Sequence, residues 1–171
     1  MTSPALALAQ QKCKEWHEGQ LRKYTGEPYH VHPFEVAHII KDHGLGEDLQ
    51  VAALLHDTIE DCDVNKSEIA SLFGNRVANL IDMVTDVSKP EDGNRKARKQ
   101  LDKEHLAGAD ADGQSIKLAD LISNTSSIVK YDPDFAKVYM AEKLDLLTVL
   151  TKGDKELYRR ANTLLNEYYK R

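Results

Sequence analysis

Helix start and stop signals recur along the whole chain, and they limit the fold more than any other feature of this sequence. Ser3-Pro4 is typical of a helix cap followed by proline at the first helical position, and Asp132-Pro133 repeats that pattern. Gly44 and Gly74 stand where helices are expected to end. No segment shows the sustained alternation of apolar and polar residues that predicts a strand. The sequence therefore predicts an all-α fold.

The predicted helices follow one another with short connections. The longest predicted loop covers residues 19–32, and residues 88–94 are the clearest interruption. At 171 residues the chain is long enough to bury a core without disulfides, so we expect residues 1–171 to form a single domain. Helices are expected at 3–16, from 33 to 44, at 47–61, from 65 or 67 to 74, from there to 84, and at 95–109, 115–130, 132–151 and 154–169.

Composition narrows the setting in which the chain works. The net charge of −5 argues against a nucleic-acid partner, because phosphate attraction needs a basic surface. No apolar run approaches the 18 or so residues of a membrane span, so no membrane partner is expected. Two cysteines, Cys13 and Cys62, are too few for a disulfide framework. We therefore expect a reduced, cytoplasmic protein.

The segment richest in chemical groups is residues 53–61, where an apolar run ends in His56, Asp57, Glu60 and Asp61. On a continuous helix, His56 would lie over Glu60, and Asp57 over Asp61. Three carboxylates that close repel one another strongly when they are partly buried. A divalent metal ion is the simplest compensation, so the pattern predicts a metal site.

Four side chains can complete such a metal shell: His32, His56, Asp57 and Asp120. Asp120 is surrounded by apolar residues in its predicted helix, where an uncompensated carboxylate would be costly. Two imidazoles and two carboxylates suit a borderline divalent ion such as Mn²⁺, Fe²⁺ or Zn²⁺, with positions left for water.

A short basic segment predicts a phosphate-rich ligand. Residues 95–99 carry four cations in five positions within a chain that is acidic overall. Lys117 precedes Asp120 by one turn, on the side from which a phosphate would approach a metal. We therefore interpret Arg95, Lys99 and Lys117 as contacts for a small anionic substrate.

Several motifs resemble those of the RelA/SpoT-type alarmone hydrolase domain, a branch of the HD superfamily. Residues 22–33 (RKYTGEPYHVHP) are similar to its opening motif, 52–61 (AALLHDTIED) to its central motif, and 117–124 (KLADLISN) to a later one. The resemblance spans about residues 15–150. It implies an HD-type multi-helix bundle, and the family's small stand-alone Mesh-type members consist of little more than this domain.

The resemblance also implies roles for individual residues. His32, His56, Asp57 and Asp120 match the metal ligands, with Mn²⁺ the usual ion. Glu60 and Asp61 match the pair that orients and deprotonates the attacking water. The nucleotide contacts are Arg22, Lys23 and Asn124. The implied reaction removes the 3′-pyrophosphate of guanosine tetra- or pentaphosphate and yields GDP or GTP.

One departure from the family pattern leaves the substrate open. Leu121 follows Asp120, whereas the family commonly has a basic residue there. A second interpretation is therefore an HD phosphohydrolase on another phosphorylated nucleotide, such as the 2′-phosphate of NADPH. A third is a non-catalytic nucleotide sensor, against which the intact Glu60-Asp61 pair argues. Both a monomer and a homodimer remain compatible with the sequence.

Overall fold

The computed structural model describes residues 2–171, and its regular structure within them is helical, which confirms the all-α prediction. None of these helices has the length and apolar character needed to cross a bilayer. The α-helices are α1 (Pro4–Trp16), α2 (Val31–Asp42), α3 (Glu47–Leu55), α4 (Thr58–Asp61), α5 (Lys66–Phe73), α6 (Asn75–Val84), α7 (Arg95–Ala107), α8 (Ala111–Tyr131), α9 (Pro133–Leu147) and α10 (Lys155–Tyr169).

Short polar side chains cap six of the ten helices, including those that begin after Ser3, Asn65 and Asp132, as the sequence predicted. Ser3 Oγ accepts a hydrogen bond from the Leu6 amide at 3.2 Å, and Asn65 Oδ1 accepts from the Glu68 amide at 3.0 Å. Each bond satisfies an amide of a first turn that has no partner within its helix. Helix α8 begins four residues before its predicted start, because Asp110 caps it through the amide of Gly113.

The chain divides into two compact units, one ending at Thr85 and the other running from Asp86 to Arg171. In the first unit, α3 packs against α1, α2 and α6. Six of the nine α3 residues are buried, because the helix is apolar around nearly its whole circumference. This buried helix leads directly into the His56-Asp57 pair.

The second unit is organised around α8, which packs against α9 and α10. Gln114 is fully buried there, and its amide nitrogen donates to the carbonyls of Leu106 and Val149 at 3.0 and 2.9 Å. Its oxygen accepts from the Lys152 amide at 2.9 Å, so the buried amide is satisfied. The interpretation of the two units as one domain stays a prediction.

The predicted helix over 47–61 is interrupted at His56 and Asp57, which separate α3 from α4. At this point, two side chains form hydrogen bonds with backbone carbonyl groups of the preceding turn. His56 Nδ1 lies 2.7 Å from the Ala53 oxygen, and Thr58 Oγ1 donates to the Leu55 oxygen at 2.7 Å. Such local bonds compete with the helical ladder. The prediction of one continuous helix was therefore wrong at this site.

Candidate metal centre

Three of the four predicted ligands lie together in the first unit. His32 is in the first turn of α2, and one ligand atom each from His32, His56 and Asp57 lies within 4.8 Å of the others. Asp57 Oδ2 is 3.1 Å from His56 Nε2 and 3.7 Å from His32 Nε2. The two histidines are 2% and 4% exposed, so both imidazoles are almost completely removed from water.

The break between α3 and α4 fixes the orientation of His56. Its Nδ1 points at the Ala53 carbonyl oxygen, which can only accept, so that nitrogen carries the proton. The lone pair of the neutral ring then lies on Nε2, the atom that faces Asp57. A backbone carbonyl on the second ring nitrogen is the usual support for a metal-ligating histidine.

The donor set fits a divalent metal ion. It combines two nearly buried imidazoles with a carboxylate whose side chain is only 15% exposed. Nitrogen and oxygen donors of this kind suit Mn²⁺, Fe²⁺ and Zn²⁺. A cation at this place offsets the charge of Asp57 in a setting where water can do so only in part.

Tyr29 connects the candidate ligands to the acidic pair. Its hydroxyl donates to Asp57 Oδ2 at 2.7 Å, and the same proton is within hydrogen-bonding reach of the Asp61 side chain. Its ring lies edge-on to His32, with the centroids 6.0 Å apart. Sequence reasoning did not assign Tyr29 to the metal centre. The one signal in the sequence was that Tyr29 precedes the candidate ligand His32 by only three residues, just before α2 begins.

The loop before α2 is anchored in a way that holds Tyr29. Leu21 and Pro28 form an isolated antiparallel bridge, and the Tyr29 amide donates to the Gln20 oxygen at 2.9 Å. The Gln20 side chain contacts the end of α4, since its amide nitrogen donates a hydrogen bond to the Asp61 carbonyl at 2.9 Å. The loop therefore contacts the end of α4 through both Gln20 and Tyr29.

His17 supports this arrangement from α1. The residue is 2% exposed, its ring lies 4.9 Å from the ring of Tyr29, and its Nδ1 is 2.8 Å from the Gln20 side-chain oxygen. The burial and contacts of His17 assign it to the supporting structure of Tyr29.

Glu60 and Asp61 end α4 and are accessible to solvent. Partial burial raises the pKa of Asp61 above its ordinary value, and the negative charge of Asp57 adds to the rise. The hydrogen bond from Tyr29 acts in the opposite direction. A carboxylate with a raised pKa is a better proton acceptor, which is the property its predicted role requires.

The thiol of Cys62 lies beside this network without the properties of a nucleophile. Its Sγ is 3.4 Å from His17 Nδ1. Burial raises the pKa of Cys62 to about 11, so the thiol stays protonated at neutral pH. Both Cys62 and Cys13 are free cysteines.

The fourth predicted ligand, Asp120, belongs to the second unit. It is 7% exposed on α8, as its apolar surroundings predicted. Lys117 Nζ lies 3.0 Å from one carboxylate oxygen, and Asn124 Nδ2 donates to the other at 2.9 Å. These bonds compensate the buried charge. The role of Asp120 as a metal ligand stays a prediction, as do the substrate roles of Lys117 and Asn124.

The predicted nucleotide contacts Arg22 and Lys23 lie in the loop before α2. The backbone of Arg22 is held on both sides, since its amide donates to the Glu27 oxygen at 2.8 Å and its oxygen accepts from the Gly26 amide at 3.0 Å. Lys23 is exposed, with its ammonium 5.1 Å from the centroid of the Tyr24 ring. Their contact with a nucleotide stays a prediction.

The remaining predicted contacts, Arg95 and Lys99, begin α7 in the second unit. Arg95 donates two hydrogen bonds to the Glu142 carboxylate at 2.7 and 2.9 Å, and its guanidinium lies 5.2 Å from the centre of the Phe135 ring. Lys99 is 3.6 Å from Asp86. Both cations thus have acidic partners within the protein, and their contact with a substrate stays a prediction.

Comparison with known proteins gives a consistent result. The family model described as the HD domain matches residues 5–157. A guanosine-3′,5′-bis(diphosphate) 3′-pyrophosphohydrolase of Vibrio cholerae is 35% identical over 156 residues, which cover 88% of this chain and 22% of that protein. The enzyme of the same name from Aquifex aeolicus is 33% identical over 138 residues, or 81% of this chain and 20% of that protein. The chain thus spans about a fifth of the length of these curated relatives.

Two solved structures resemble the fold. One is described as a metazoan ortholog of SpoT that hydrolyses ppGpp. It matches with a TM-score of 0.87 and 25% identity over 98% of this chain and 97% of that one. The other, a protein of Listeria monocytogenes, matches with a TM-score of 0.70 and 24% identity over 87% of this chain and 100% of that one, which supports the fold alone.

Proposed function

Because this chain belongs to the HD domain family, we propose that it is a metal-dependent hydrolase that removes the 3′-pyrophosphate of guanosine tetra- or pentaphosphate. The observation that carries the proposal is the buried group of His32, His56 and Asp57, whose donor atoms lie within 4.8 Å of one another. The names of the Vibrio and Aquifex relatives and the description of the metazoan structure support the choice of substrate. The free cysteines are in keeping with a cytoplasmic location.

We assign the metal to His32, His56 and Asp57, and we infer Mn²⁺ as the ion, with Fe²⁺ and Zn²⁺ as alternatives. When bound, such an ion lowers the pKa of a water ligand towards neutrality, which supplies a nucleophile at neutral pH. The protein orients two of the three ligands by hydrogen bonds, since the Ala53 carbonyl orients His56 and the Tyr29 hydroxyl orients Asp57.

In this proposal Asp61 accepts a proton from the attacking water, and Glu60 orients that water. Asp61 suits the step by its position, since it is accessible to solvent and shares the Tyr29 hydroxyl with Asp57. Such proton transfer typically contributes roughly 10²–10⁴-fold to the rate. Hydrolysis then releases pyrophosphate and leaves a free 3′-hydroxyl.

The charge that develops on the phosphate oxygens needs nearby donors. We propose that this chain's own cations and one amide provide them. The proposed contacts are Arg22, Lys23, Lys117, Asn124, Arg95 and Lys99.

The test is product analysis with metal-stripped protein. We expect guanosine tetraphosphate to be converted to GDP and pyrophosphate only when Mn²⁺ is added, as followed by ion-exchange chromatography. An Asp61→Asn variant should remain inactive with Mn²⁺, and an Asp63→Asn variant, which changes an exposed neighbouring carboxylate, should behave like the wild type.

Two other outcomes would replace the proposal. Release of phosphate from NADPH, with none from guanosine tetraphosphate, would keep the site and change the substrate. Metal binding without turnover of either nucleotide would favour the sensor.

A further inference from the structure

The second unit contains a cavity of about 800 Å³ between α7 and α9, with Lys117 of α8 also on its wall. A cavity of this size is within the range that holds small ligands and nucleotides. Part of the wall is apolar, formed by side chains such as Leu106, Val138 and Leu146. Six basic side chains also line it: Arg95, Lys96, Lys99, Lys103, Lys117 and Lys143.

Most of these basic side chains have an acidic partner. Four of the six form ion pairs within the unit, with N–O distances between 2.7 and 3.6 Å. They are Arg95–Glu142, Lys103–Asp145, Lys117–Asp120 and Lys99–Asp86. These pairs set the geometry of the wall and offset most of its charge.

Asp102, the remaining acidic residue of the wall, accepts hydrogen bonds from backbone amides instead of pairing with a cation of the wall. One of its oxygens accepts from the amides of Val87 and Ser88 at 3.0 and 2.9 Å, and the other accepts from the Ser88 hydroxyl at 2.8 Å. Asp102 thereby holds the segment before α7, and its oxygens are already used. With Asp120, which pairs with Lys117, counted, the wall therefore has six basic groups against five carboxylates, in a chain whose net charge is −5.

Lys143 differs from the paired cations. Among residues 2–171, no carboxylate lies within ion-pairing distance of it, and its ammonium stands 4.9 Å from the centre of the Tyr139 ring. The pKa of Lys143 is lowered to about 8, mainly by burial and also by the charges of Lys117 and Lys99, against the opposing influence of Asp120 and Asp86. The ammonium thus stays half-buried, next to other cations, on the wall of an open cavity.

We propose that this cavity binds the phosphate groups of an anionic ligand and that Lys143 contacts them. A phosphate supplies the negative charge that the wall lacks, and it accepts hydrogen bonds from several ammonium groups at once. The phosphate has two sources, a separate anion or the nucleotide of the proposed function. In the second case the inference rests on that function.

The test is calorimetric titration of metal-free protein with inorganic pyrophosphate. We expect the wild type to bind it and the Lys143→Met variant to bind it about tenfold more weakly, the loss typical of one charge-assisted contact. A Lys143→Arg variant keeps the charge and should retain most of the affinity. The matched control is Lys137→Met on the same helix, because Lys137 is exposed and pairs only with the exposed Asp134.

Steady-state kinetics with guanosine tetraphosphate distinguish the two sources. If the site holds the substrate's phosphates, Lys143→Met should raise KM about tenfold with little change in kcat, and pyrophosphate should compete. If the site holds a separate anion, KM should stay constant while pyrophosphate affinity falls. Both results support a phosphate site.

Two results would overturn the inference. One is the absence of pyrophosphate binding to the wild type, and the other is equal affinity in the wild type and the Lys143→Met variant. The titration needs no metal and no turnover. Failure of the proposed hydrolase activity would therefore leave this test intact.

Discussion

The metal centre of the first unit and the basic cavity of the second unit use a tyrosine in opposite ways. In the metal centre, the Tyr29 hydroxyl donates to Asp57 at 2.7 Å. In the cavity, the ring of Tyr139 lies 4.9 Å from the ammonium of Lys143. A hydroxyl group can donate its proton to a carboxylate, and the π-face of an aromatic ring attracts a cation. Each contact therefore orients a charged group without neutralising it. This difference agrees with our proposals that the first region receives a cation and the second an anion.

The largest effect is expected from Asp57→Asn, which removes the charge of the metal centre and keeps the side-chain shape. Metal content measured by plasma mass spectrometry should fall well below that of the wild type, because two imidazoles alone hold a divalent ion weakly. Turnover should fall by more than about 100-fold, beyond the loss seen for supporting residues. Exposed Asp63→Asn is the control. Unchanged metal content would remove Asp57 from the ligand set.

The next effect should come from Asp61→Asn, which separates metal binding from proton transfer. We expect kcat to fall by roughly 10²–10⁴-fold, the usual contribution of a general base. Metal content should stay at the wild-type level, because Asp61 lies outside the His32–His56–Asp57 group. An unchanged kcat would refute the assignment, and loss of metal would make Asp61 a ligand.

A smaller loss is expected from Tyr29→Phe, which removes one hydroxyl and keeps the ring against His17. Loss of a group that supports a ligand typically costs about 10–100-fold in metal affinity or activity. Affinity is measured by competition with a chelator. Tyr158→Phe is the matched control, since its hydroxyl also donates to a partly buried acceptor, the Leu147 carbonyl at 3.2 Å. Equal metal affinity in the two variants would restrict Tyr29 to packing.

The helices and the candidate metal ligands were recognisable from sequence for different reasons. Capping residues such as Ser3, Asn65 and Asp132 act within one turn, so a short window of sequence contains the whole interaction. His56 and Asp57 were recognisable because polar ligands at the end of a buried helix are costly without a function. The break at these two residues was missed, since it depends on side-chain bonds to Ala53 and Leu55 that leave the helical pattern intact.

Supporting residues that contact the site across long sequence separations were not predicted. Tyr29 reaches Asp57 over 28 positions, and Gln20 reaches Asp61 over 41. Lys143 gave no sequence signal either, because its neighbours along the chain include Glu142 and Asp145. In the folded chain these carboxylates form ion pairs with Arg95 and Lys103 instead. Lys143 differs from an ordinary surface lysine only in the folded chain, where its acidic neighbours pair with residues of α7.

The smallest effect concerns the stability cost of Lys143 and its dependence on pH. Its pKa is about 8 in the folded chain against an ordinary value of 10.5, so between these values the unfolded chain binds more protons. The contribution of Lys143 to the free energy of unfolding of the wild type therefore rises with pH between about 8 and 10.5. Below about pH 8, the folded chain carries the full cost of the buried charge. Without anions, Lys143→Met should raise Tm at pH 7 by roughly 2–4 °C, the shift that about 1 kcal/mol gives in a chain of this size.

The gain in Tm should shrink when both proteins are melted at pH 9.5, because the wild-type lysine is then largely neutral in the folded state. Added pyrophosphate should reverse the order at pH 7, since only the wild type gains binding energy from the ammonium. A gain in Tm that is the same at both pH values would mean that the substitution acts through apolar packing alone. The cavity would then lack the uncompensated charge that distinguishes it from the metal centre.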